Sequence, residues 1–285
     1  MNEYKLSILV ILYNKEINES NTINSLAYAN MFFEKINLCI YNNGPNRIKE
    51  NVDVFNNCHD FNLNIVQSLK NESLARIYND FIQSNKSEKY LILDDDSIVN
   101  REFINAVLSA RGNEVLIPII HSGREVVGPE VNGELVSVEQ QCAENDRVMS
   151  IGSGITLGNE VVNILHKKYG QVFDERFYLY GVDTTFFHRM YQLKLCKCIR
   201  IIAPINHSLS RLNVNGDELS HFRVKERGYD IGLQLRYYKS FREIIKSMSR
   251  LIIINTLIAL KIKKGNINLQ YVFKGFFSGK HYRES

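Results

Sequence analysis

The stretch YLILDDDSIV, from Tyr90 to Val99, places three consecutive aspartates between two short apolar runs. On a strand, Asp94 and Asp96 project from one face and Asp95 from the other. Adjacent carboxylates repel one another, and a cation that prefers oxygen ligands, such as Mg²⁺ or Mn²⁺, relieves that repulsion. The triplet also ends a buried-strand pattern, where open α/β sheets bind their ligands. The pattern therefore predicts a metal site, with a solvated turn as the alternative.

The order of apolar segments around this stretch indicates an α/β protein. Leu6–Leu12 is a near-continuous apolar run, typical of a strand buried on both faces. Two further strand patterns follow at 36–41 and 63–66, and a helical pattern at 74–82 leads into the triplet. Alternating strands and helices predict an open, mostly parallel sheet with flanking helices.

The exit of the first strand excludes two common nucleotide-binding classes. The residues there are Tyr13-Asn14-Lys15-Glu16, without the glycines that a dinucleotide-binding turn requires. The chain also has no phosphate-binding loop that ends in Gly-Lys-Ser or Gly-Lys-Thr, which argues against a nucleoside triphosphatase.

Charge divides the chain into two parts. The formal net charge is +4, yet residues 1–221 hold 21 Lys and Arg against 27 Asp and Glu, whereas residues 222–285 hold 14 against 4. We predict one domain at 1–221, which carries the acidic triplet, and a basic helical region at 222–285. An acidic first domain argues against nucleic-acid binding.

The composition of the chain predicts a cytoplasmic protein. No apolar run approaches the ~20 residues of a membrane-spanning helix, and the N-terminus lacks the features of a signal peptide. The five cysteines show neither metal-ligand spacing nor a disulfide pattern, so we predict reduced thiols.

Three later features are further candidates for a functional site. Gly152-Ser153-Gly154 interrupts an extended pattern, which indicates either close approach of a ligand or a β-bulge. Asp183 opens a helical pattern, either as an N-cap or as a carboxylate that the helix dipole keeps ionised. His207 follows a strand pattern and is either structural or a ligand for metal or phosphate.

Together these motifs resemble the inverting family 2 glycosyltransferases with the GT-A fold, particularly the bacterial rhamnosyltransferase and galactofuranosyltransferase-like branch. The resemblance covers about residues 6–210 and rests on ordered pieces: Ile11–Asn14, Asn42–Gly44, Leu93–Asp96 as the Asp-x-Asp motif, Gly152–Gly154, Tyr180–Asp183 and His207.

The resemblance implies a role for each matching position. Asp94 and Asp96 would hold Mn²⁺ or Mg²⁺ and the donor diphosphate, with His207 completing the metal site. Asp183 would be the general base, and Gly152, Ser153 and Gly154 would face the acceptor. Nucleotide contacts would come from Tyr13, Asn14, Asn42, Arg76 and Asp95, the last near the ribose. The chain departs from the family where Val182 replaces a frequent Glu and Asn42 a frequent Asp.

The function implied is metal-dependent transfer of a sugar, with inversion, from a UDP- or dTDP-activated donor. The acceptor would be a hydroxyl of a growing, lipid-linked bacterial surface glycan such as O-antigen or capsule. Two alternatives remain open. A catalytically inactive GT-A-fold binding or assembly module would share these motifs. A sugar-phosphate nucleotidyltransferase would share the paired aspartates but should carry a glycine-rich, basic loop after its first strand.

The basic C-terminal region contains an amphipathic helix. From Lys239 onward, apolar residues fall on one side and basic residues nearly opposite. The helix either docks on the catalytic domain or lies on an anionic membrane surface through residues 239–264, helped by Lys261, Lys263 and Lys264. The second interpretation predicts a peripheral protein on the inner face of the cytoplasmic membrane.

Overall fold

The computed structural model describes residues 3–29, 35–56, 61–208, 221–260, 262, 265 and 267–284. In chain order the strands are β1 (Leu6–Leu12), β2 (Ile36–Asn42), β3 (Phe61–Gln67), β4 (Lys89–Asp94), β5 (Ser97–Ile98), β6 (Val115–Ser122), β7 (Glu125–Gly128), β8 (Glu130–Val131), β9 (Glu134–Leu135), β10 (Gln140–Gln141), β11 (Val148–Met149), β12 (Thr156–Gly158) and β13 (Ile199–His207).

The helices are α1 (Asn21–Tyr28), α2 (Leu74–Ser84), α3 (Arg101–Ser109), α4 (Asn159–Tyr169), α5 (Val182–Gln192), α6 (His221–Tyr238), α7 (Phe241–Ala259) and α8 (Leu269–Ser278). Short 3-10 turns lie at Ile17–Glu19, Asp53–Phe55 and Cys196–Cys198.

The main sheet has the order β10-β13-β6-β12-β4-β1-β2-β3. Strands β3, β2, β1 and β4 pair in parallel, as do β6 and β13, while the short β12 is antiparallel to both β4 and β6. The long strands on both sides of β12 therefore run in one direction, and their carboxyl ends share one edge. The predicted fold class, an open and mostly parallel α/β sheet with flanking helices and a C-terminal helical segment, is confirmed.

The core explains why β1 is apolar throughout. Every residue of β1 is buried, because helices cover both faces of a parallel sheet. On one face, Ile23 and Leu26 of α1 and Phe103 and Val107 of α3 join the same buried cluster. These positions recur at helical spacing, so each helix turns one apolar side to the sheet.

Contacts within the chain define two compact units. The first comprises Met1–Glu72, Arg76–Val172 and Arg189–Ser208, and the second comprises Ser73–Ala75, Phe173–His188 and Leu209–Ser285. The main sheet belongs to the first unit. A functional division at 221/222 stays a prediction.

The second unit is largely helical. Helix α6 packs against α8, with Tyr229, Leu233 and Val272 buried between them. Helix α7 begins with a capping box in which Ser240 and Glu243 exchange hydrogen bonds. None of the helices within the described ranges has both the length and the apolar character to cross a membrane.

Residues 281–283 contact Glu226 on α6. The Glu226 side chain is buried, with only 1% of the residue exposed. Arg283 Nε donates to Glu226 Oε1 at 2.9 Å, and Tyr282 donates its hydroxyl to the same oxygen. His281 Nε2 lies 3.6 Å from Glu226 Oε2. Burial raises the pKa of Glu226, and the contacts from Tyr282 and Arg283 oppose that rise.

Replacing Arg283 should show how much the buried Glu226 carboxylate destabilises the fold when it lacks this partner. We expect Arg283→Ala to lower the free energy of unfolding by about 3 kcal/mol at pH 8, because removing one partner leaves an uncompensated buried charge. The loss should be smaller at pH 5, where Glu226 can take up a proton. Urea unfolding followed by circular dichroism measures both values. Arg250→Ala, on an exposed face of α7, is the control, and equal losses in both variants would contradict this role.

Candidate functional site

The carboxyl edge of the sheet brings together three side chains that can bind a metal ion: Asp94, Asp96 and His207. Asp94 ends β4, Asp96 lies in the turn before β5, and His207 ends β13. Sheet pairing places His207 opposite Ser97 of β5, which carries the imidazole to the aspartates. Ligand atoms of the three side chains lie within 4.8 Å of one another, and His207 Nδ1 is 3.2 Å from Asp96 Oδ1.

A chain of hydrogen bonds runs beneath these side chains. Asp94 N donates to Ser153 Oγ at 2.9 Å, Ser153 Oγ lies 2.7 Å from Ser97 Oγ, and Ser97 Oγ lies 2.8 Å from His207 Nδ1. Both serines are 0% exposed. Ser153 therefore helps to hold Asp94 and, through Ser97, His207 in position at the candidate metal site. Sequence analysis missed Ser97, whose position directly after the triplet was the available signal.

The N-terminus of α1 fixes the turn that carries the aspartates. Thr22 Oγ1 accepts a hydrogen bond from Ser97 N at 2.9 Å and contacts the carbonyl oxygens of Asp94 and Ser97. Ser20, the N-cap of α1, donates from Oγ to the carbonyl of Asp95 at 2.9 Å. Backbone groups of the turn are thus satisfied by protein atoms, so its conformation does not depend on a ligand.

His207 has the protonation state that a metal ligand requires. The residue is 8% exposed, and burial lowers its pKa below the usual 6.5, although the charges of Asp96 and Asp95 oppose that shift. A lowered pKa keeps the imidazole neutral near pH 7, with a lone pair on one ring nitrogen. Ser208 Oγ donates to Asp96 Oδ2 at 3.1 Å, which orients the second carboxylate.

The donor set fits a hard or borderline divalent cation. Carboxylate oxygens suit Mg²⁺ and Mn²⁺, and an imidazole favours the transition metal. Around a six-coordinate ion with bonds of about 2.1 Å, ligand atoms lie about 3 to 4.2 Å apart. The ligand atoms of the three side chains lie within 4.8 Å of one another, which is close to that range.

The middle aspartate points to a different partner. Lys15 Nζ lies 2.7 Å from Asp95 Oδ1, and Tyr13 N donates to Asp95 Oδ2 at 3.4 Å. Burial raises the pKa of Asp95, and the Lys15 ammonium opposes that rise. Tyr13 itself is 49% exposed, so its ring is accessible at the exit of β1. Sequence analysis did not anticipate Lys15, because its partner lies 80 residues away.

Two predicted nucleotide contacts, Asn14 and Asn42, meet in the turns after β1 and β2. Asn14 N donates to Gly44 O at 2.7 Å. The amide of Asn42 is 0% exposed, donates to Asn46 O and Gln67 Oε1 at 2.8 Å each, and accepts from Gly44 N at 3.0 Å. Asn42 therefore holds the turn together, and its contact with a nucleotide stays a prediction.

A cavity of about 130 Å³ opens beside these turns. Its lining combines both charges and polar amides: Asn14, Lys15, Glu16, Glu19, Asn46, Arg47 and Ile48. Arg76, the other predicted nucleotide contact, lies on α2 with its side chain 44% exposed and 3.8 Å from Glu72. Its role also stays a prediction.

The glycines around Ser153 lie in the loop before β12, whereas the sequence pattern placed them inside an extended segment. Gly154 has φ of +89°, and a Cβ there would lie 2.5 Å from Pro118 Cγ. Its N–H donates to Ile92 O on β4 at 2.7 Å. The close approach of β6 explains Gly154, while an acceptor contact by Gly152 or Gly154 stays a prediction.

Asp183 belongs to the second unit, where it lies in the first turn of α5. Its Oδ1 accepts from Thr184 N at 2.8 Å, a contact with the next residue. Helix α5 begins one residue earlier, at Val182, so Asp183 is the second residue of its first turn. A carboxylate at a helix N-terminus remains favoured in its ionised form.

Comparisons with known proteins give a likeness in fold only. No protein-family model and no curated protein matches the chain. A crystal structure of S. aureus TarS 1–349 in complex with UDP-GlcNAc matches at 15% identity with a TM-score of 0.49, covering 81% of this chain and 65% of that one. The complex with UDP matches at 16% with a TM-score of 0.48, covering 82% and 72%. Another S. aureus TarS structure matches at 15% with a TM-score of 0.47, and this chain spans 44% of its length.

Asp96 and Asp95 are neighbours with different partners, so replacing each in turn tests the candidate metal site formed by Asp94, Asp96 and His207. We expect Asp96→Asn to weaken Mn²⁺ binding at least tenfold, since a charged ligand is lost, and Asp95→Asn to retain binding within about threefold. Isothermal titration calorimetry with MnCl₂ measures both affinities. Equal weakening in the two variants would show that the acidic triplet attracts cations only through its total charge.

Proposed function

We propose that this chain is a metal-dependent, inverting glycosyltransferase that uses a UDP- or dTDP-activated sugar. The observation that carries the proposal is the cluster of Asp94, Asp96 and His207 at the carboxyl edge of the sheet, in which His207 is buried and hydrogen-bonded to Ser97. A binding site for a divalent cation at this edge suits a ligand with a diphosphate, because the cation can bind phosphate oxygens and protein carboxylates together.

Asp94, Asp96 and His207 would hold Mn²⁺ or Mg²⁺. A divalent ion bound there supplies Lewis-acid stabilisation of the charge that develops on the leaving diphosphate. The protein contributes the neutral imidazole of His207 and the orientation of Asp96 by Ser208. Asp95, paired with Lys15, would be the carboxylate nearer the ribose.

The nucleotide would lie across the exits of β1 and β2. Tyr13 offers an exposed ring for stacking on the base, and Asn14 lines the neighbouring cavity together with Lys15 and Arg47. Asn42 and Arg76 are the remaining proposed contacts. A pyrimidine would use its N3–H towards an amide carbonyl, which accepts a hydrogen bond as a carboxylate does.

Asp183 is the proposed general base. The acceptor hydroxyl would lose its proton to the Asp183 carboxylate as its oxygen attacks the anomeric carbon and the bond to the diphosphate oxygen breaks. A single displacement inverts the configuration at that carbon. The loop Gly152–Gly154 would face the acceptor, a lipid-linked surface glycan such as O-antigen or capsule.

Replacing the base should separate catalysis from binding. We expect Asp183→Asn to lower turnover by 10²–10⁴-fold, the usual contribution of a general base, and to leave donor affinity unchanged. Thermal shift with UDP-, dTDP- and GDP-sugars, with and without Mn²⁺, identifies the donor, because a ligand that binds only the folded state stabilises it. UDP and UDP-GlcNAc are suitable first probes.

Release of the nucleoside diphosphate, with and without an acceptor, then measures turnover. Glu160→Gln is the control, since Glu160 is an acid in the first turn of another helix, α4. Full turnover in Asp183→Asn would overturn the assignment of the base. Donor binding without hydrolysis or transfer would favour a binding or assembly module.

We further propose that α7 attaches the enzyme to an anionic membrane on the cytoplasmic side. Phe241, Ile245 and Ile252 fall within about 40° of one another on the helix, and are 76%, 53% and 48% exposed. Such an apolar stripe beside basic residues suits the interface of a lipid bilayer. The other sequence interpretation is a helix that docks on the catalytic domain and leaves its basic face in solvent.

The basic residues of α7 favour an anionic lipid surface as the partner of these exposed apolar side chains. Arg242, Lys246 and Arg250 follow the same helix, whereas its single acid, Glu243, is used in the capping box. Each basic residue near an anionic surface contributes about 1 kcal/mol. Lys261, Lys263 and Lys264, which sequence analysis added to this region, lie outside the described residues.

Paired substitutions on α7 should distinguish insertion of its apolar side chains into the lipid from electrostatic attraction of its basic side chains to the membrane surface. We expect Ile245→Glu with Ile252→Glu to abolish sedimentation with phosphatidylglycerol vesicles. Ser249→Glu with Thr256→Glu adds the same charge at exposed polar positions and should retain a measurable part of the binding. Equal sedimentation of both variants, or binding of wild type to neutral vesicles alone, would contradict the proposal. Concentration-dependent dimerisation lost in the first variant would instead identify a second copy as the occupant.

A further inference from the structure

Helix α6 places a second carboxylate against the turn that presents Asp183. Gly181 has φ of +81° and precedes α5, and a Cβ built on it would lie 2.0 Å from Asp230 Oδ1. The carboxylate of Asp230 therefore fills the space that a side chain at 181 would need. Both residues belong to the second unit.

Asp230 has few partners in this position. Gln234 Nε2 donates to Asp230 Oδ1 at 2.8 Å. The charged groups that face Asp230 are Asp183 from α5 and Arg227 and Glu226 from its own helix. The Arg227 guanidinium lies over the ring of Tyr180, 5.0 Å from its centroid.

We propose that Asp230 is a positioning residue for Asp183, which it strengthens as a base by filling the recess at Gly181 and by placing a second negative charge nearby. The inference rests on the function proposed above. Two neighbouring carboxylates lose their protons in two steps that belong to the pair. Once Asp230 is ionised, its charge raises the proton affinity of Asp183, and a stronger base removes the acceptor proton more readily.

Asp230 gains its negative charge near neutral pH, so its influence on the proton affinity of Asp183 should increase there. Burial raises the pKa of Asp230 to about 7, and the charge of Asp183 adds to that rise, while Gln234 and Arg227 oppose it. Because the pKa is higher in the folded state, Asp230 contributes stability that is complete below its unfolded value of 3.8 and is lost as pH rises through about 7. Above about pH 7 that contribution is lost, so replacing Asp230 by a neutral residue should not lower the stability of the fold there.

Asp230→Asn should therefore separate activity from stability. In wild type we expect kcat to rise with pH in two steps, the upper one centred near pH 7. The variant should keep the lower step and lack the upper one, with turnover at pH 8 reduced roughly threefold to tenfold and KM for the donor unchanged. Its Tm at pH 8 should equal or exceed that of wild type.

A second variant on the same helix tests the direction of the effect. Gln234→Leu removes the hydrogen bond that lowers the pKa of Asp230, so the upper step should move to higher pH. An upper step that persists in Asp230→Asn, or a lowered Tm at pH 8 together with the loss of turnover, would overturn the proposal.

The coupling can also be measured without turnover, which separates this inference from the proposed function. Interaction between two sites is reciprocal, so Asp183→Asn should lower the pKa of Asp230. The upper pH limit of the fall in Tm, which follows the folded-state pKa of Asp230, would then move below that of wild type. If wild type transfers no sugar yet this shift occurs, the proposed function fails and the coupling stands. An unchanged pH dependence of Tm overturns the coupling itself.

Discussion

The hydrogen bonds from Asp94 N through Ser153 and Ser97 to His207 are the interaction on which the candidate site depends. They join the end of β4, the start of β5, the loop before β12 and the end of β13. Hydrogen bonds in a buried, poorly polarisable environment are strong, and their loss leaves buried polar atoms without partners. Both hydroxyls are inaccessible to water, so protein atoms alone form this series of hydrogen bonds. A metal would therefore meet ligands that are already close together.

The acidic triplet is tolerable because its three members have different surroundings. Asp95 turns to Lys15, and Asp96 faces His207 and Ser208. Asp94 uses its backbone N–H to anchor the buried serines, and its side chain joins the cluster. Carboxylates withdrawn from water cost several kcal/mol unless they are paired. Lys15 offsets the negative charge of Asp95, and the neutral imidazole of His207 lies beside Asp96. A divalent cation would offset the charge that remains on Asp94 and Asp96.

Sequence patterns located the long parallel strands and the three side chains that meet at the sheet edge, Asp94, Asp96 and His207, because both depend on local signals. The apolar run of β1 and the strand before Asp94 have the composition of buried parallel strands, and parallel strands bring their carboxyl ends to one edge. The supporting residues were not predictable. Thr22 lies 75 residues from Ser97, and Asp230 lies on a different helix from Asp183, so no local pattern reports either contact. Asn42 shows what a motif match leaves out, since its amide also has hydrogen-bond partners within the turn that the motif does not report.

The pairing of Ser97 with His207 has a consequence for how the protein is made. These residues are 110 positions apart, so the strand that carries the histidine joins the sheet only after most of the chain has been synthesised. Closing such a long loop costs entropy that local contacts cannot offset, and contacts of this range form late and slowly. A nascent chain on the ribosome would thus expose the aspartates before His207 has been synthesised, and the three candidate ligands would come together only when β13 joins the sheet.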